Sequence, residues 1–223
     1  MERAVLASGL FRSGTNYLQA LVDGNLKCAA ITPSPRTGRW PQKHASRPAG
    51  LVDHYQGLCI ALIHKPPAKW VDSIMRQSFD LIDYYDLRYE PGHTVIEIAY
   101  DDEHHPLPDR PLVPVSLEKL CDHYNRYHRF WMLQAKNWPF VAVMHSRAAF
   151  EPEATLTMIA EVFDLASYRF VPVIGPVAGS EPFKAELYRN LDAFTHLRPN
   201  HIDIINRRMD ADIVAFLGYE RPT

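Results

Sequence analysis

Cysteine is scarce in this chain: three residues in 223, at positions 28, 59 and 121. An odd number of widely separated thiols inside apolar stretches gives no disulfide framework, and they read as reduced core residues. No uninterrupted apolar run reaches the roughly 18 residues that a spanning helix needs, so no membrane span is expected. The apolar part of Met1–Ser8 is too short for a secretory signal, which makes a cytoplasmic location the default expectation. A dense basic run is also missing. With 24 Lys and Arg against 26 Asp and Glu, the net charge of −2 argues against nucleic acid as the partner. What is present is ordinary for a globular protein: 47% apolar and 22% charged residues, which excludes extended disorder. The length suits a single domain over residues 1–223, with neither an internal repeat nor a linker to divide it.

The near-neutral total hides an asymmetry. Residues 1–80 carry 10 Lys and Arg against 5 Asp and Glu, or +5, so the remainder carries −7. A basic N-terminal third suits an anionic ligand. The pattern along the chain alternates strand and helix. Arg3–Ser8 is a short apolar strand followed at once by Gly9, and Gly14–Gly24 has helical spacing at Tyr17, Leu18, Leu21 and Val22. Leu58–His64 is a continuous apolar run of the kind buried on both faces. The spacing then predicts a helix over Pro67–Phe79, a long helix from Ser116, a strand over Phe140–Met144, a helix over Glu151–Phe163 and a last helix over Pro199–Phe216, stopped by Gly218. Residues 32–50 and 88–115, rich in proline, read as irregular insertions. The fold class is therefore α/β, a parallel sheet flanked by helices on both faces.

The chemistry concentrates between the first strand and the first helix. Gly9-Leu10-Phe11-Arg12-Ser13-Gly14-Thr15-Asn16 places two glycines five residues apart, so the chain can wrap with its N–H groups pointing inward at an anion. Ser13, Thr15 and Asn16 add side-chain donors, and Arg12 adds a permanent charge with a planar fork. A nucleoside-triphosphatase loop needs Lys and then Ser or Thr straight after the second glycine. Thr15 and Asn16 stand there instead. The loop is built for phosphate and poorly built for ATP.

Phe11-Arg12-Ser13-Gly14-Thr15-Asn16-Tyr17-Leu18 resembles the 5′-phosphosulfate loop of the sulfotransferases that use 3′-phosphoadenosine 5′-phosphosulfate (PAPS), where Lys or Arg precedes Ser-Gly-Thr. The resemblance implies a P-loop fold, PAPS as donor, 3′-phosphoadenosine 5′-phosphate (PAP) as product, and no metal. It also implies nucleotide contacts at Phe11, Arg12, Ser13, Gly14, Thr15, Asn16 and Tyr17. The family carries a second motif after a buried strand, a basic residue with a serine eight positions on, which grips the 3′-phosphate. Lys65 and Ser73 have that spacing, with Lys65 where the family usually has Arg, so a point charge replaces a bidentate grip.

Trp40-Pro41-Gln42-Lys43-His44 is similar to a Lys-His segment in which the histidine serves as base. It implies His44 as general base, with Arg12 and Lys43 neutralising the leaving phosphate. From Tyr124-Asn125-Arg126-Tyr127 to Leu217-Gly218-Tyr219 the layout is similar to bacterial members. Gly175, Gly179, Ser180, Phe183 and Lys184 approximate the family's glycine-rich nucleotide loop. The acceptor would be a hydroxyl or amine of a small molecule or carbohydrate. Asp101-Asp102-Glu103-His104-His105 reads as a solvated lid rather than a metal site, since adjacent loop residues seldom converge on one ion. Two other readings remain: a P-loop kinase or nucleotide hydrolase using Asp101 or Asp102 with magnesium, and a PAP-binding module without catalysis.

Overall fold

Ala4–Ser8 folds as strand β1 and Leu58–His64 as strand β3, and every residue of both is buried. Runs of this kind have no solvent face to alternate with, as expected for parallel strands inside an α/β protein. The computed structural model describes residues 3–31, 57–76, 86–99, 111–167, 169–173 and 194–220. Within them the chain runs β1, α1 (Thr15–Asn25), β2 (Ala29–Ile31), β3, α2 (Pro67–Arg76), β4 (Val95–Ala99) and β5 (Leu112–Ser116). It continues through α3 (Leu117–Gln134), β6 (Phe140–Met144), α4 (His145–Phe150), α5 (Pro152–Phe163), α6 (Pro199–Arg208) and α7 (Ala211–Phe216). The fold is mixed α/β. Contacts sort the chain into two units, Met1–Lys65 with Tyr127–Tyr188, and Pro66–Arg126 with Arg189–Thr223.

The first unit holds a parallel sheet in the order β2-β1-β3-β6. Val5 pairs with Cys59, and Ile60 with Phe140. Val5, Ala7, Cys59, Ala61, Ile63, Val141 and Val143 form one face of this sheet. They pack with Leu18, Leu21 and Val22 of α1 and with Leu156, Ile159 and Phe163 of α5 in a single cluster. Truncating one of these fully buried side chains, Leu18 for example, costs about 2–5 kcal/mol. Successive strand residues point to opposite faces, so Ser8 points away from that cluster. Its hydroxyl lies 2.9 Å from that of Tyr127, in the part of α3 that belongs to this unit. The topology decides where a ligand would go. From β1 the chain passes to β2 on one side, and β3 then lies on the other side of β1, so the strand order reverses between β1 and β3. In open α/β sheets the binding crevice lies outside the carboxyl ends of the strands at such a point. Here those ends are Ser8 and His64.

The second unit is organised around α2. The Asp72 carboxylate accepts the backbone N–H groups of Thr195 (3.0 Å) and His196 (2.7 Å), and the Lys69 ammonium lies 4.8 Å from the Phe194 ring centroid. Part of the stretch 88–115 is not irregular: β4 and β5 pair antiparallel within it, Val95 opposite Ser116 and Ala99 opposite Leu112. Its prolines concealed a strand alternation, exposed Val95 and Glu97 against buried Ile96 and Ile98. Pro114 is tolerated in β5 because the Ser116 N–H, two residues on, donates to Leu87 rather than to β4. The Pro114 nitrogen therefore points off the pair, where no ladder bond is needed. The helix expected over Pro199–Phe216 is two helices. Extended Met209 ends the first and Asp210 caps the second, accepting from Asp212 (3.0 Å) and Ile213 (3.4 Å), while Asn125 holds the bend by accepting from the Asp210 N–H at 3.1 Å. Gly218, at φ +78°, ends α7 as expected.

Candidate functional site: the β1–α1 loop and the strand ends beside it

Between Ser8 and Thr15 the chain reverses through Gly9–Gly14, with the Ser13 N–H donating to the Leu10 carbonyl at 3.1 Å. Fully buried Leu10 anchors the turn. Both glycines are required by space. A Cβ on Gly9 would lie 2.6 Å from the Ile63 carbonyl oxygen and 3.0 Å from the Thr15 hydroxyl oxygen. A Cβ on Gly14, at φ +93°, would lie 2.3 Å from His145 Cδ2 and 2.9 Å from His145 Nε2. Arg12 is itself left-handed, at φ 65°. That conformation costs an L-residue about 1–2 kcal/mol, and such strain gathers at ligand clamps. Left-handed residues inside a tight turn also bring successive N–H groups round to one side, forming a concavity for an anion.

The side chains carry the same message. Ser13 and Thr15 are buried, and among the described residues neither hydroxyl has a hydrogen-bond partner. Each such burial costs about 1–3 kcal/mol. Lys65, the residue after β3, is buried too, and half-buried Arg12 stands in the loop. Burial holds His64 down to about 3, with the charge of His128 adding to the effect. His145 is driven well below the usual histidine range, first by burial and then by the positive charges of Lys65, Arg12 and His64. Tyr127 is pushed up by burial, and its hydroxyl bonds to Ser8 and to the Gly9 backbone. The loop is thus pinned at its first residue by Tyr127 and met at its last glycine by His145.

Of the residues expected in the site, the first unit brings Phe11, Arg12, Ser13, Gly14, Thr15, Asn16 and Lys65 to the β1–β3 strand ends. Tyr17 sits in the first turn of α1 with its hydroxyl donated to the Ala148 carbonyl at 3.2 Å. That bond ties α1 to α4 and gives Tyr17 a structural task. Ser73 lies on α2 in the second unit, buried, its hydroxyl accepting from Arg76 at 3.4 Å. Lys43, His44, Asp101–His105 and the 175–184 loop lie outside the described residues. Among the described residues no group of three His, Cys, Asp or Glu is placed to hold a metal ion.

Comparison with known protein families, with curated proteins and with solved structures gives no match. The chemistry of the loop must carry the reading.

Sequence reasoning did not single out His64, His128, His145 or the Ser8–Tyr127 bond. A signal for part of the set was present. Ser8 and His64 end two apolar strand runs and His145 directly follows a third, and parallel pairing gathers those ends at one edge. What the gathered set can do is hold a polyanion. It offers two cations, two buried hydroxyls without partners among the described residues, loop N–H groups and a neutral imidazole.

Proposed function

We propose that the β1–α1 loop binds the 5′-phosphosulfate end of PAPS and that the chain is a sulfotransferase on a P-loop fold. The observation that carries this is the pair of buried Ser13 and Thr15 hydroxyls beside Arg12 and Lys65. Donors left unsatisfied in that way fit the oxygens of a phosphate group, and the Arg12 guanidinium with the Lys65 ammonium fits its charge. The absence of Lys at position 15 separates this loop from one that serves magnesium nucleoside triphosphates.

In this reading an acceptor hydroxyl or amine of a small molecule or carbohydrate attacks sulfur. The sulfur–oxygen bond to the 5′-phosphate breaks, the acceptor proton passes to a base, and PAP leaves. Arg12 faces the charge that grows on the leaving phosphate, and losing such a preorganised donor costs about 3–4 kcal/mol of barrier. Lys43 is a second candidate for that task and His44 for the base, both from the sequence resemblance. If His44 is the base, turnover rises with pH through its pKa, and His44→Ala removes that limb and lowers the rate about 10²–10⁴-fold.

The direct test is thermal unfolding with PAP, which should raise Tm with or without magnesium, since it binds only the folded state. Greater stabilisation by magnesium ATP than by PAP would overturn the reading in favour of a kinase or hydrolase. PAP binding with no turnover across a broad acceptor panel would reduce it to a binding module.

A further inference from the structure

His145 follows β6 directly and opens α4, and β6 lies beside β3. Three adjacent strand ends therefore deliver the anion loop, Lys65 and this imidazole. The Cδ2–Nε2 edge of the ring fills the space where a side chain on Gly14 would stand. Charges that act on His145 from neighbouring elements include Lys65 and His64 at the end of β3 and Arg12 in the loop. On its own element, Arg147 is exposed and pairs with Glu151 at 3.7 Å. From α1, the Tyr17 hydroxyl bonds to the Ala148 carbonyl. His64 in turn is acted on by His128 from α3. An apolar side chain would pack against Gly14 without the cost of desolvating an imidazole beside two cations. An imidazole at this place can also meet what the loop holds.

We propose that His145 is a proton-linked ligand of the anion in the β1–α1 loop, neutral in the free protein and protonated when the anion is bound. The inference rests on the reading of that loop as an oxyanion site. Burial is the first cause of the ring's neutrality and the charges of Lys65 and Arg12 add to it; a dianion beside those two cations offsets their field and attracts a third positive charge. The pKa of His145 rises on binding, so between its free and bound values binding takes up a proton. Affinity therefore increases as pH falls, by at most tenfold per pH unit for one proton. The second ionisation of phosphate, near pH 6, acts in the opposite direction.

The test is calorimetric titration of the full chain with sulfate, which stays a dianion across the range, and with PAP, at pH 8, 7 and 6. Wild type is compared with His145→Gln. Sulfate affinity of the wild type should rise about fivefold or more from pH 8 to pH 6. In His145→Gln it should stay flat with pH, whatever the absolute affinity of the variant, because Gln keeps a neutral donor that cannot take up a proton. PAP should show the same difference between the two proteins. A second measurement needs no variant: the imidazole proton resonance of His145 should titrate at higher pH with sulfate than without.

Equal pH slopes in the two proteins, or a His145 midpoint that sulfate leaves unmoved, would overturn the inference. Sulfate binding with a His145-dependent slope but no PAP binding would support it while removing the nucleotide reading. PAP binding without the slope would do the reverse, and failure of both ligands to bind would overturn both.

Discussion

Gly14→Ala is the substitution on which the loop geometry makes its hardest demand. At φ +93° an L-residue pays about 1–2 kcal/mol for the left-handed conformation. The new Cβ would stand 2.3 Å from His145 Cδ2, a distance no real pair of carbons keeps, and His145 is buried. Forcing the ring or the loop aside in a packed interior costs about 1–3 kcal/mol more. The expected loss is therefore about 2–5 kcal/mol, a large share of the stability a domain of this kind has. Gly24→Ala is the internal control. Gly24 sits in α1 with nothing within 4 Å of its would-be Cβ, so the same chemical change should stabilise by about 0.5–1 kcal/mol. Urea unfolding of both variants reads the two signs. Adding His145→Ala to Gly14→Ala removes the steric part and leaves the backbone part, so the double-mutant cycle should show a coupling of about 1–3 kcal/mol. A Gly14→Ala variant within about 0.5 kcal/mol of wild type, or a cycle without coupling, would refute the placement of His145 against the loop.

Ser13→Ala and Thr15→Val each delete a buried hydroxyl that has no partner among the described residues. They should leave Tm unchanged or higher while weakening PAP binding about tenfold or more, and a loss of stability with unchanged affinity would contradict the site. Tyr127→Phe removes the bond to the buried Ser8 hydroxyl and the Gly9 contact, and should cost about 1–3 kcal/mol. Adding Ser8→Ala should recover part of that loss in the same unfolding assay, and no recovery would mean the bond does not pin the loop. His64 has a folded pKa of about 3, below its ordinary value of 6.5, so in that interval the unfolded chain binds the extra proton. Stability should therefore fall as pH drops from 6.5 towards 3, by up to about 1.4 kcal/mol per unit from this group. His64→Gln should reduce the slope of urea midpoints between pH 7 and pH 5, and an unaltered slope would assign the proton uptake on unfolding to other groups.

Much of the fold was legible because its signals are local. The apolar runs at Ala4–Ser8, Leu58–His64 and Phe140–Met144 became the three adjoining strands β1, β3 and β6, and the spacing of Leu18, Leu21 and Val22 became the core face of α1. The errors have local causes as well. Three residues, Ala29–Ile31, are too few for a periodic signal, so β2 leaves no mark in the sequence pattern. Prolines around β4 and β5 outweighed a four-residue alternation, although a two-stranded pair has outer edges where Pro114 loses no bond. The break between α6 and α7 depends on Asn125, more than eighty positions away, taking the Asp210 N–H. No window along the chain contains that bond.

The site divides along the same line. Gly9, Arg12, Ser13, Gly14 and Thr15 lie within one turn, so their spacing alone states what they can hold, and the geometry adds why both glycines are needed. Lys65 came from a resemblance, yet parallel pairing of β1 with β3 would have placed it at the same edge on topology alone. His145 had neither route. It is 131 positions from Gly14, and its neighbours in sequence give it no motif. It becomes a candidate only once β6 pairs with β3, because Ile63 then sits opposite Val143 and the next residues of both strands run out toward the loop. For a parallel sheet the general reading follows from the pairing. A polar residue ending an apolar strand, taken alone, is only a strand end, but polar residues ending adjacent strands share one edge and form a set before any side chain is placed.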